Sequence, residues 1–209
     1  MKVTEKVFES FKWIDIENPI KEDLEKINKE HGLNYYLIKD SLEKGHLPKF
    51  EKNNHVDFYI FRAYTSDIQF KIDEVGEMSN KIAFFLFDDK LITIHRAQFS
   101  FLNIQEVQQI KMNELFLRIV KSMIETFQKP TIDLANKIND IERIIFLKDY
   151  RAVVLEELYF IKSQSRILKK VLQITQSVID HAAQNFTQSS QYQDIKDVLL
   201  KLLIVNEES

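Results

Sequence analysis

The spacing of apolar residues changes character near Ile104. Before it, apolar residues come in short alternating or continuous runs. Phe11-Lys12-Trp13-Ile14-Asp15-Ile16 alternates with the period of two that marks a strand, and stops at Asn18-Pro19, where proline suits a helix start. Lys21–Glu30 predicts a helix with Leu24 and Ile27 on one side and Gly32 as its C-terminal cap. Tyr35–Lys44 predicts a second short helix, closed by Gly45 and followed by Leu47-Pro48-Lys49. Val56–Tyr64, Ile68–Ile72, Lys81–Phe87 and Leu91–His95 are rich in aromatic and β-branched residues and predict strands, with Asp88-Asp89-Lys90 as the turn between the last two. This order predicts an α/β fold with a mixed sheet and short covering helices.

After Ile104 the rhythm is helical. Leu134, Ile138, Ile141 and Ile145 follow one another at alternating spacings of four and three. So do Leu158, Ile161, Ser165, Leu168 and Leu172, then Thr175, Ile179 and Ala182, and finally Tyr192, Ile195, Leu199 and Leu202. Such seams predict two or three packed helices, each longer than roughly 20 residues. Pro130 predicts the break between the first and second long helices, and Asp149-Tyr150-Arg151 and Phe186–Ser190 predict turns. Val198–Val205 is an apolar helix without a stop signal, expected to be cut in mid-course.

Composition sharpens this picture. The 209 residues include only 3 Gly and 3 Pro, with none of either after Pro130. That scarcity disfavours a sandwich or barrel, which needs frequent turn residues. Net charge is -3, from 29 basic and 32 acidic residues mixed along the chain. No basic footprint for nucleic acid is present. The absence of cysteine excludes disulfides, thiolate metal sites and cysteine nucleophiles. MKVTEKVFES lacks the apolar core of a signal peptide, and the longest apolar run, Ile82–Phe87, falls far short of the roughly 18 residues needed to span a bilayer. The chain is therefore expected to be soluble and cytoplasmic.

Little in the sequence points to catalysis. His31, His46, His55, His95 and His181 are scattered, and none has a second histidine three or four positions away. The three glycines lie too far apart for a phosphate-binding loop, and no serine sits in a nucleophile elbow. An enzyme is not expected.

A resemblance adds to this reading. Trp13-Ile14-Asp15-Ile16-Glu17-Asn18-Pro19, Asp23-Leu24-Glu25-Lys26 and His31-Gly32-Leu33 resemble the opening of the CorA family of magnesium transporters. The likeness continues through Leu37-Ile38-Lys39-Asp40-Ser41-Leu42, Gly45-His46-Leu47-Pro48-Lys49-Phe50, Val56–Phe61 and Leu91-Ile92-Thr93-Ile94-His95, and spans nearly the whole chain. The family's two transmembrane helices and its Gly-Met-Asn signature are absent, so this chain is not expected to conduct ions by itself. Lys39 stands where many members carry a glutamate, which would weaken a site needing two acidic groups.

The resemblance implies a cytoplasmic regulatory domain at the inner face of the membrane. It divides into a sheet subdomain over 1–103 and a long-helix subdomain over 104–209 that ends in a truncated stalk helix. In the full protein it would form a homo-pentamer in which Mg²⁺, as regulatory ion, bridges carboxylates of neighbouring subunits and holds the closed state. The implied metal residues are Asp40, on the short helix before the Pro-Lys turn, and Asp194, at the start of the stalk helix, with Asp197 one turn away. Without its membrane segment the domain is expected to be a monomer or weak oligomer, to bind Mg²⁺ on the order of millimolar, and to hold one ion per interface. A CorA-like zinc transporter and a soluble helical interaction module are the alternatives.

Overall fold

In the computed structural model, residues 1–53, 55–66, 72–104, 109–147, 155–186 and 190–207 are described. Six strands form one mixed sheet: β1 (Lys2–Val7), β2 (Lys12–Glu17), β3 (Lys49–Asn53), β4 (Val56–Tyr64), β5 (Ser79–Leu86) and β6 (Lys90–His95). Their spatial order is β1-β2-β6-β5-β4-β3. The β2–β6 pair is parallel and aligns Lys12 with Lys90; every other neighbour pair is antiparallel. β3 to β6 run as a meander from the far edge back to β2.

Between β2 and β3 the chain crosses one face of the sheet as α1 (Leu24–His31) and α2 (Tyr35–Leu42). Leu24, Ile27, Leu37 and Ile38 pack there against Ile14, Ile16, Phe58, Ile60, Phe85 and Ile94. Gly32 ends α1 with φ +68, and its N–H donates to the Asn28 carbonyl at 2.9 Å. A single-turn helix, α3 (Val75–Met78), leads into β5.

The opposite face carries α4 (Met112–Glu125), α5 (Gln128–Phe146), α6 (Leu155–Phe186) and α7 (Ser190–Glu207). α4 lies between β4 and α7 and buries its apolar residues from Leu115 to Ile124, while Glu114, Arg118 and Glu125 keep an exposed face. Phe116 packs its ring 5.0 Å from Tyr59 and 5.2 Å from Phe84, and one core joins the strands to the helices. The mixed sheet, its short covering helices and the long C-terminal helices are thus present as the sequence predicts.

Details differ. Among the described residues the helices after Ile104 are 14, 19, 32 and 18 residues long, so of these only α6 exceeds the expected length. The break between α4 and α5 falls at Thr126–Phe127, and Pro130 sits inside the first turn of α5, where a backbone N–H has no helical partner to lose. α2 stops at Leu42, two residues before the expected Lys44. Strands β1 and β3 have no counterpart in the sequence reading. The expected strand Ile68–Ile72 and the expected turns Asp149–Arg151 and Phe186–Ser190 lie wholly or mostly outside the described residues.

Candidate metal site

Asp40 sits on the last turn of α2, whose start is capped by the Asn34 side chain accepting from the Tyr36 N–H at 2.9 Å. Leu37, Ile38, Ser41 and Leu42 anchor the inner side of this helix to the sheet and leave Asp40 half-buried at the rim. Two cations beneath the helix fix its end. Lys81 on β5 donates to the carbonyls of Asp40 and Glu43. Arg62, opposite Lys81 on β4, reaches the carbonyls of Lys44, His46, Val75 and Ser79 and the Ser79 hydroxyl. These contacts satisfy the orphan carbonyls of a helix terminus and hold the 43–46 turn against the sheet. Burial pulls the Arg62 guanidinium down to about 10, so it stays charged at neutral pH. Burial, with Arg62 alongside, pushes the Lys81 amine down to about 7.

Above this clamp the side chains of Asp40, Glu43 and His46 converge, with one potential ligand atom of each within 4.8 Å of the others. His46 Nε2 lies 2.8 Å from Glu43 and 3.5 Å from Asp40. Lys49 lies 2.6 Å from Asp40 and 2.6 Å from Glu51. Burial opposes the Lys49 charge, but the hydrogen bonds to Asp40 and Glu51 outweigh it and raise its pKa above the ordinary lysine value. Carboxylate plus imidazole is a donor set that suits divalent ions, and here a lysine ammonium shares the carboxylate. Lys39 turns toward Glu43, at 3.9 Å, while Lys49 supplies the cation beside Asp40.

Asp194 lies elsewhere. It is exposed on α7, on the opposite face of the sheet, 2.9 Å from Lys121 of α4. That contact raises the Lys121 pKa. Asp197 is also exposed on α7. One chain therefore does not bring Asp40 and Asp194 together. The sequence alone does not single out Glu43 and His46, because no second histidine lies three or four positions from His46. Asp40, Glu43 and His46 follow each other at spacings of three, a signal that a carboxylate–histidine search would find.

The sequence matches the family described as CorA-like Mg²⁺ transporter protein over residues 8–208. Among curated proteins no sequence match is found. The fold is similar to the soluble domain of CorA from Methanocaldococcus jannaschii, with TM-score 0.71 and 16% identity over 95% of this chain and 82% of that one. It is similar to the complete CorA magnesium transporter from the same organism, with TM-score 0.65 and 14% identity over 98% of this chain and 68% of the other. It is also similar to the ZntB cytoplasmic domain from Vibrio parahaemolyticus RIMD 2210633, with TM-score 0.65 and 12% identity over 96% and 82%. At such identities the likeness is one of fold.

Proposed function

Because the chain belongs to the family of CorA-like Mg²⁺ transporter proteins, we propose that it is the cytoplasmic domain of a divalent-cation transporter and senses the ion it serves. The family match over 8–208 carries this reading. Among the described residues no helix is long and apolar enough to cross a membrane, so the pore would be built by other segments.

The gating step rests on the separation of the two aspartates. Asp40 and Asp194 lie on opposite faces of one subunit, so an ion held by both must come between two copies. Each carboxylate is paired with a lysine in the single chain, Lys49 and Lys121. A bridging Mg²⁺ would replace those lysines, relieve the repulsion between the approaching carboxylates and favour the closed assembly. Its loss would let the subunits separate.

Limited proteolysis and light scattering of the chain across a Mg²⁺ titration test this. Protection and self-association are expected to rise on the order of millimolar Mg²⁺. Both should vanish in the Asp40→Asn, Asp194→Asn double variant without loss of helical signal. An unchanged response in that variant removes the site.

A second reading concerns ion identity. His46 beside Asp40 and Glu43 adds an imidazole, which suits Zn²⁺ better than Mg²⁺. Under that reading Zn²⁺ binds at lower concentration than Mg²⁺, and His46→Ala abolishes the difference.

A further inference from the structure

A cavity of about 480 Å³ opens between β1, β2 and the segment 96–104, away from the Asp40 site. Below it runs a chain of polar side chains that the proposed function does not use. Trp13 Nε1 donates to Thr93 Oγ1 at 3.0 Å, and the Thr93 hydroxyl donates to Asp15. His95 lies against the same carboxylate, with Nε2 3.0 Å from Oδ1 and 3.2 Å from Oδ2. Its other nitrogen, Nδ1, is 2.7 Å from the Ala97 carbonyl. Thr93 and Trp13 are buried and His95 is 3% exposed, while Asp15 keeps an opening to the cavity.

Both His95 nitrogens face acceptors. Beside an ionised Asp15, only a doubly protonated ring satisfies both contacts. The Ala97 carbonyl belongs to a segment with little regular structure of its own. It turns once over Ser100–Leu102, buries Phe99, Leu102 and Ile104, sets the Phe99 ring 5.7 Å from His95, and packs against α4.

We propose that His95 is a proton-operated latch: as an imidazolium it ties Asp15 on β2 to the Ala97 carbonyl and holds segment 96–104 on the sheet, and as a neutral ring it releases one of the two. The charged groups around the ring are few. From β2 come Asp15 and Glu17; from β1 come Lys2, held by Glu17 at 3.2 Å, and Lys6, held by the Ile104 carbonyl. Burial alone would lower the His95 pKa, but Asp15, the Ala97 carbonyl and Glu17 outweigh it and raise it above the ordinary value of 6.5. A raised pKa means that the latch contribution is fully present below about pH 6.5 and is lost as pH rises through the raised value. The cavity gives Asp15 a route for exchange of the proton with solvent.

Amide hydrogen exchange and histidine NMR of the 209-residue chain test the latch between about pH 6 and 9. Protection of the Phe99–Ile104 amides, corrected for intrinsic exchange, should fall across the His95 titration. The fold-loss should equal the ratio of the ring's acid constants in the released and latched states. Amides of Tyr59 and Phe84 in the central strands should keep their protection. His95→Gln offers one donor in place of two and should make the segment insensitive to pH, and Asp15→Asn should lower the His95 midpoint. A His95 midpoint at or below 6.5 in the unaltered chain overturns the proposal. So does protection of 99–104 that is constant with pH, or an unaltered pH response in His95→Gln.

Discussion

The Lys81 amine lies under the end of α2 with two carbonyls to serve, those of Asp40 and Glu43. A neutral amine has two N–H groups, so losing the proton leaves both hydrogen bonds available. NMR of labelled lysine side chains should show this amine titrating near 7. Since the folded pKa is lowered, stability from this group increases with pH between about 7 and the unfolded value near 10.5. Lys81→Met removes both donors and should cost about 1–3 kcal/mol in denaturant unfolding. Lys49 acts in the opposite sense toward metal. It competes for the Asp40 carboxylate at 2.6 Å, so Lys49→Met should tighten Zn²⁺ binding several-fold by calorimetric titration. Of the residues around Asp40, the family likeness points to the aspartate and to Lys39 beside it, and not to Glu43, His46 or Lys49 as its partners. Lys81 and Arg62 were invisible because their role depends on a pairing of β4 with β5 that brings two cations under one helix end.

Elements whose apolar faces are buried were legible; those held by their edges were not. β2, β4, β5 and β6 supply the core and stood out by their alternation or apolar runs. β1 reads KVTEKV, is mostly exposed, and pairs only with β2, so no hydrophobic face announced it. β3 is another edge strand, and with Phe50 as its one apolar residue it shows no alternation in sequence. The break before α5 was misplaced because proline disrupts a helix interior but fits its first turn, where Pro130 lies. Gly32 was read correctly, since an αL residue after an amphipathic turn has a local cause. An added Cβ at Gly32 meets nothing within 4 Å, so Gly32→Ala carries only the conformational cost of positive φ, about 1 kcal/mol in chemical denaturation. Gly76 differs: its Cβ would lie 3.3 Å from the Lys44 carbonyl that Arg62 also holds.

Across the whole molecule, Phe116 joins what the sequence divided at 103 and 104. Its ring touches Tyr59 and Phe84 from α4, and Phe116→Ala should cost about 3–5 kcal/mol. Near-UV and far-UV signals of the unaltered chain should then fall together in one transition, whereas a sheet and a helical part that melt apart would show two. The placement of Asp194 across the sheet from Asp40 was not legible, because no local pattern tells which layer a helix joins. Topology also sets an order of events. The β3–β4 and β5–β6 turns are short, but the β1–β2 hairpin can join the rest of the sheet only through β6, which the ribosome delivers last of the strands. Closing that long loop carries the larger entropic cost, so the meander should gain protection first in pulsed hydrogen exchange and β2 later. During synthesis the first hairpin would wait, with Trp13 and its neighbours uncovered, until His95 has emerged. The strands made first are then the last to join their sheet.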